Sequence, residues 1–189
     1  MPTPSPAAQG RPVFPVVTER LTLRLHQPGD VAWLRRIYSR PDVARYLLDE
    51  PWSAEDAERH AAQRLARNDL DGEAGGLVLV IEHESEPVGE VLLWFTDREH
   101  RVAEIGWVLD PEHGGRGLAT EAVRHVLRLA FRSCAAHRVV ARMDARNTAS
   151  AALAARAGML REAHLRQDWW SKGEWTDTVV FGALASDVP

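Results

Sequence analysis

A chain of 189 residues has room for one ordinary domain with a sizeable core and none for a second. Hydrophobic residues at 45% and charged residues at 26% are the proportions of a soluble globular protein, and a net charge of −4 offers nucleic acid no global attraction. No stretch reaches the roughly 18 to 20 apolar residues of a membrane span, so neither a membrane nor a nucleic acid is expected as a partner. A single cysteine, Cys134, rules out an internal disulfide framework and fits a reducing compartment, with the thiol expected to be a small packing residue.

Residues 1–15 are proline-rich, with neither the basic nor the apolar region of a secretory signal, and read as a flexible tail of a cytoplasmic protein. Residues 16–185 are expected to form the single domain and 186–189 a short C-terminal tail. Val17 to Leu25 sets Leu21, Leu23 and Leu25 against Arg20, Thr22 and Arg24, the period of a half-buried strand. Pro28, Gly29 and Asp30 break it and cap a helix with Val31, Leu34, Ile37 and Tyr38 on one face. Pro41 and Asp42 end that helix before a second short one through Val43 to Leu47. Ser53 and Asp56 have the spacing of a capping box, and the helix they open is charged on most faces from Ala57 to Arg67, so a surface position is expected. After a polar loop, Gly76 to Ile81 is a continuous apolar run and Val88 to Phe95 a second strand, together a hairpin. Glu82, His83, Glu84 and Glu86 at its tip read as solvated surface rather than a metal cluster.

Arg101 to Pro111 is the next strand, with Gly106 a place for a bulge or a close backbone approach. A glycine-rich turn follows, and then a helix with Leu118, Ala122, Val126 and Leu129 in one stripe. His137 to Asp144 reads as a strand, Ala151 to Ala157 as a helix closed by Gly158, and Met159 to Leu165 with Thr176 to Leu184 as two paired strands joined by a loop from Asp168 to Trp175. The expected fold class is α+β in three layers: a mixed, mainly antiparallel central sheet with helices on both faces.

The turn carries the chemistry. Gly114, Gly115 and Gly117 can take positive φ without a Cβ penalty, so the backbone can form a concave nest of N–H groups directly before a helix N-terminus. Free N–H groups and the helix dipole favour phosphate or pyrophosphate there, and Arg116 can add charge. A Walker loop would need Lys and Ser or Thr where Leu118 and Ala119 stand, and a Rossmann fingerprint would open the first βαβ unit rather than follow a late strand.

Gly114, Gly115, Arg116, Gly117, Leu118 and Ala119 resemble the Q/R-x-x-G-x-G/A acetyl-CoA loop of the GNAT superfamily of N-acetyltransferases, with Gly114 standing where the pattern has Gln or Arg. Thr18, Glu19, Arg20, Leu21, Leu23 and Arg24 resemble the T-E-R-L-x-L-R opening of its RimJ/RimL-like branch, and Asn147 with Ser150, then Gly158 and Met159, resemble a later segment of that branch. The resemblance implies an acetyl-CoA-dependent N-acetyltransferase in which the strand before the glycine turn splays from the strand after the helix. Trp107, Val108 and Leu109 would then hold the pantetheine arm, as an added strand would. Gly114 to Thr120 and Asn147 would hold the cofactor, Glu104 would be the general base, and Ser150 would protonate the departing thiolate.

Each role has a structural counterpart. Glu104 could be an exposed strand carboxylate, Ser150 a helix cap, Asn147 an Asx turn and His113 a surface turn residue. Tyr46, Trp52, Trp169 and Trp170 are the candidates for the acceptor wall, against ordinary packing, with Asp49, Glu50 and Asp168 suited to a cationic amine. The acceptor is expected to be a primary amine on a protein N-terminus or a small molecule. No metal is expected, since no histidine shows zinc-ligand spacing. A homodimer is compatible with the tryptophans, and the alternative function is a non-catalytic acyl-CoA-binding regulator or scaffold.

Overall fold

The computed structural model describes residues 12–188, so most of the proline-rich tail and the last residue lie outside the described residues. The chain runs β1 (Val16–Val17), β2 (Leu21–Leu25), α1 (Val31–Tyr38), α2 (Pro41–Ala44), α3 (Ala54–Ala66), β3 (Asn68–Asp69), β4 (Gly76–His83), β5 (Glu86–Asp97) and β6 (Val102–Leu109). It continues through α4 (Leu118–Arg132), β7 (Arg138–Asp144), α5 (Thr148–Ala157), β8 (Leu160–Ser171) and β9 (Glu174–Leu184). The strands form one open sheet in the order β1-β2-β4-β5-β6-β7-β9-β8, with β3 added beside β4. Every neighbouring pair is antiparallel except β6 and β7, which are parallel because α4 carries the chain back across the sheet between them. The expected three-layer, mainly antiparallel fold is the one observed.

Alternation along the strands divides two cores. Leu77, Leu79, Ile81, Leu93, Ala103 and Ile105 turn to one face and pack with Leu118, Ala122, Val126 and Leu153 of α4 and α5. Cys134 lies in this core, where burial pushes its thiol up to about 11, so it is a packing residue. The other face carries Val80 and Val108 under Trp33, Leu34, Ile37 and Tyr38 of α1 and Ala57 and Ala61 of α3.

Several local expectations are corrected. The second short helix starts at Pro41, not Val43, because proline lacks only the N–H that a first helical residue cannot use. Helix α3 has the Ser53–Asp56 capping box but does not lie free on the surface: it buries Ala57, Ala61 and Arg64 at helical spacing. The segment from Asp168 to Trp175 is not a loop. Strands β8 and β9 continue through it, pairing Trp169 with Thr176 and Trp170 with Trp175, and reverse at Lys172 and Gly173 with φ of 50° and 82°. Positive φ at both central residues is the twist a two-residue hairpin turn needs. Among the described residues no helix is long and apolar enough to cross a membrane.

Candidate functional site

The fold brings a forked strand pair and a glycine turn end to end. Strand β6 pairs with β7 only at Val102, Ala103 and Glu104, opposite Arg138, Val139 and Val140. Beyond Glu104, β6 stays with β5 as far as Leu109, while β7 runs with β9 to Asp144. The two strands therefore separate, and the β7 side of Trp107, Val108 and Leu109 has no strand partner among the described residues. An extended chain laid into the fork would find backbone donors and acceptors waiting.

At the end of β6 the direction of the chain is fixed by Asp110, which is 2% exposed. Its N–H donates to the Val88 carbonyl at 2.7 Å, its carboxylate accepts the Glu112 N–H at 3.1 Å, and it lies 3.3 Å from Arg36 of α1. After a single 3-10 turn at Pro111–His113, Gly115 and Gly117 take φ of +73° and +77°. Gly114 does not; it is extended at φ −66°, so only two of the three glycines use left-handed freedom. Gly117 is the N-cap of α4 and offers no side-chain cap, so the first-turn N–H groups remain available to a ligand. The side chains of Leu118, Ala119 and Thr120 are buried in the core, which leaves their backbone as their contribution to the site. Arg116 is exposed beside the turn, its Nη2 3.5 Å from His83 Nε2. A concave row of backbone donors at a helix N-terminus suits a pyrophosphate, and the fork suits the amide-bearing arm that would extend from it.

Glu104 is the last residue paired before the fork opens, opposite Trp94 on β5 and Val140 on β7. Burial pushes its carboxyl above the ordinary range, against a smaller opposite pull from Arg142. Gly106 is not a bulge. It sits in register opposite Leu92, and a Cβ there would make only an ordinary contact, 3.7 Å, with the Trp94 ring. Across the fork, Asn147 caps α5, its Oδ1 accepting the Ser150 N–H at 3.0 Å. The cap expected of Ser150 thus belongs to Asn147. Ser150 is the third residue of a helix that starts at Thr148, half-buried, and its hydroxyl is not used in the capping bond.

The family model for the acetyltransferase (GNAT) domain matches residues 20–160. An uncharacterized N-acetyltransferase p20 of Bacillus licheniformis is 30% identical over 88% of this chain and 94% of its own length. The chain belongs to the GNAT acetyltransferase family. Among solved structures, spermidine N-acetyltransferase of Vibrio cholerae in complex with CoA and spermine superposes with a TM-score of 0.77 at 22% identity, covering 90% of this chain and 99% of that one. RimL, a ribosomal L7/L12 alpha-N-protein acetyltransferase in complex with coenzyme A, superposes at 0.78 with 21% identity, covering 90% and 97%. The protein is an acetyl-CoA-dependent N-acetyltransferase, and nothing in these relatives favours the non-catalytic alternative.

The four residues expected to contact the acceptor differ in exposure. Trp52 is 5% exposed and stacked on both faces, against Tyr38 at 3.9 Å and His60 at 4.1 Å, so it packs the wall rather than lining it. Tyr46 is half-buried under Arg45, whose guanidinium lies 5.1 Å from the ring centre. Trp169, Trp170 and Trp175 stand on the terminal hairpin, each at least half exposed, and Lys172 at its tip donates to the Ala44 carbonyl at 2.6 Å. That bond brings the hairpin tip against α2, the segment leading to Tyr46.

Sequence reasoning missed Glu90. Its carboxylate has no exposure, yet it sits mid-strand on the same face of β5 as Trp94, paired with Val108. Arg64 clamps it with Nε at 2.8 Å and Nη2 at 2.6 Å, the Tyr38 hydroxyl donates to it, and His26 Nε2 lies 3.0 Å away. Burial alone would raise this carboxyl; the charge of Arg64 leads the opposing effects and holds it at about 2. A lone acid inside the apolar run Val88 to Phe95 was the available signal.

Proposed function

We propose that this acetyltransferase moves the acetyl group to a primary amine by direct attack in a ternary complex, and that it belongs to the RimJ/RimL-like branch. The observation that carries the reading is the position of Glu104, at the opening of a fork whose free strand edge runs straight to the glycine turn. Acetyl-CoA supplies the acyl group as a thioester already activated toward nucleophiles. Backbone N–H groups of the turn hold its phosphates, and β6 from Trp107 to Leu109 aligns its arm. Glu104 takes the proton from the incoming ammonium, directly or through water, so that the nitrogen lone pair forms the C–N bond as the C–S bond breaks. Its raised carboxyl is matched to that work. Ser150, across the fork, hands its proton to the departing thiolate and takes up in its place, through water, the second proton that the nitrogen loses in becoming an amide. Ser150→Ala is expected to lower kcat by about 100-fold, the low end for a lost proton donor because a thiolate leaves readily, with CoA affinity unchanged by calorimetry.

Exposed acids Asp49, Glu50 and Asp168 support a cationic acceptor, either a polyamine or a protein N-terminus. The relatives of known acceptor fall into both classes. The exposed tryptophans of the β8–β9 hairpin support a role for that hairpin in holding the acceptor or a second copy of the chain. Acetyl-CoA turnover, followed by thiol release, is to be measured with spermidine and with short peptides bearing a free N-terminus. Thiol release that depends on one of these amines, with the acetylated amine found by mass spectrometry, supports the reading. Thiol release without an acetylated amine, or none with any amine, contradicts it.

A further inference from the structure

The opening motif Thr18 to Arg24 has so far no part in the site, although its first residues touch the glycine turn from behind. Glu121, in the first turn of α4, accepts three bonds from it: the Thr18 hydroxyl at 2.6 Å, the Arg20 backbone N–H at 2.9 Å and Arg20 Nε at 2.8 Å. Arg20 then reaches past Glu121, and Nη1 donates to the carbonyl of Arg116 at 2.9 Å. Its Nη2 lies 3.5 Å from where a Cβ on Gly117 would stand.

We infer that Arg20 is a positioning residue for the cofactor, acting through the peptide that joins Arg116 to Gly117 and through Glu121. In a trans peptide the C=O and the following N–H point in opposite directions. A guanidinium holding the Arg116 carbonyl therefore turns the Gly117 N–H to the opposite side of the peptide, the side on which the phosphate is proposed to sit. The bond also polarises that N–H, since a charged donor on one end of a peptide strengthens the donor on the other. Without such an anchor, a peptide flanked by Gly117 would be free to rotate. Arg20 has a second effect. Glu121 is the only acid in the first turn of α4, where its charge would oppose a bound phosphate, and Arg20 neutralises it. Thr18 fixes the other end of the clamp: its N–H donates to the Leu21 carbonyl at 2.8 Å, so the motif enters β2 as one tight turn. Two motifs 96 positions apart in the chain are thus halves of one device.

This inference rests on the acetyl-CoA reading, and the experiment separates the two. CoA is titrated calorimetrically into wild type, Arg20→Ala and Arg20→Ala/Glu121→Gln, with thermal melts in parallel. Arg20→Ala is expected to weaken CoA by about tenfold, the order of one charge-assisted bond. The double variant removes the uncovered charge as well and is expected to regain part of that loss, a recovery that a merely structural role of Arg20 would not produce. If Arg20→Ala does not fold, Arg20→Lys takes its place: lysine keeps the charge beside Glu121 but cannot span both acceptors, and a smaller loss of CoA affinity is expected. CoA binding as in wild type, or a double variant weaker than Arg20→Ala, overturns the clamp. Absence of CoA binding by folded wild type overturns the cofactor reading instead.

Discussion

Glu104→Gln is expected to lower kcat by about 10²- to 10⁴-fold, the range for loss of a positioned general base. Acetyl-CoA affinity should be unchanged, because the glycine turn and the free edge of β6 lie beyond Glu104 on the chain. The same assignment fixes the pH dependence. Only the ionised carboxylate can take a proton, so activity rises with pH through the pKa of Glu104, and burial sets that pKa above the ordinary carboxylate range. Steady-state rates across pH should show this acid limb in wild type and lose it in Glu104→Gln. A variant that keeps both its rate and its acid limb would move the base role elsewhere.

The second large effect is on stability. Glu90→Ala removes the carboxylate that Arg64, Tyr38 and His26 surround, and leaves the Arg64 guanidinium, 8% exposed, without its counter-charge. Breaking a buried pair on one side costs about 3–5 kcal/mol. For a chain of this size, each kcal/mol shifts the melting temperature by about 2–4 °C, so a fall of about 6–20 °C is expected. Replacing both partners, as Glu90→Leu with Arg64→Met, should recover much of the loss because no buried charge is then left over. The pH response has a defined sign. The folded carboxyl titrates at about 2, below an unfolded glutamate at about 4.3, so its contribution is present above the unfolded value and is lost as pH falls toward 2. Melts of wild type between those limits should steepen in their pH dependence relative to Glu90→Leu/Arg64→Met.

These two acids also mark what could be read from the residues alone. The place of Glu104 was legible because Ala103 and Ile105 on either side of it turn into one core, on a strand that runs into a glycine-rich turn. Glu90 was not, since its partners His26, Tyr38 and Arg64 come from β2's end, α1 and α3, and only the folded sheet brings them together. The stripe Ala57, Ala61 and Arg64 was visible at helical spacing, but charge on the remaining faces of α3 masked it. Local chemistry misled most at the last hairpin. Lys172 and Gly173 form the turn, yet Lys-Gly is a weaker hairpin signal than Asn-Gly, and the adjacent tryptophans break the alternation that marks a half-buried strand. The capping bond expected of Ser150 falls to Asn147 because the helix starts at Thr148, three residues earlier than its apolar run indicates.

The proposed acetyl transfer depends most on the glycine turn as the seat of the cofactor's phosphates. Acetyl-CoA, CoA and ATP should therefore be titrated calorimetrically into wild type and Gly117→Glu, which places a side chain and a negative charge at a left-handed N-cap. Saturable binding of acetyl-CoA and CoA to wild type, no binding of ATP, and loss of both CoA ligands in a folded Gly117→Glu is the predicted result. Folded wild type that does not bind acetyl-CoA, or a folded Gly117→Glu that binds it as wild type does, would contradict the account.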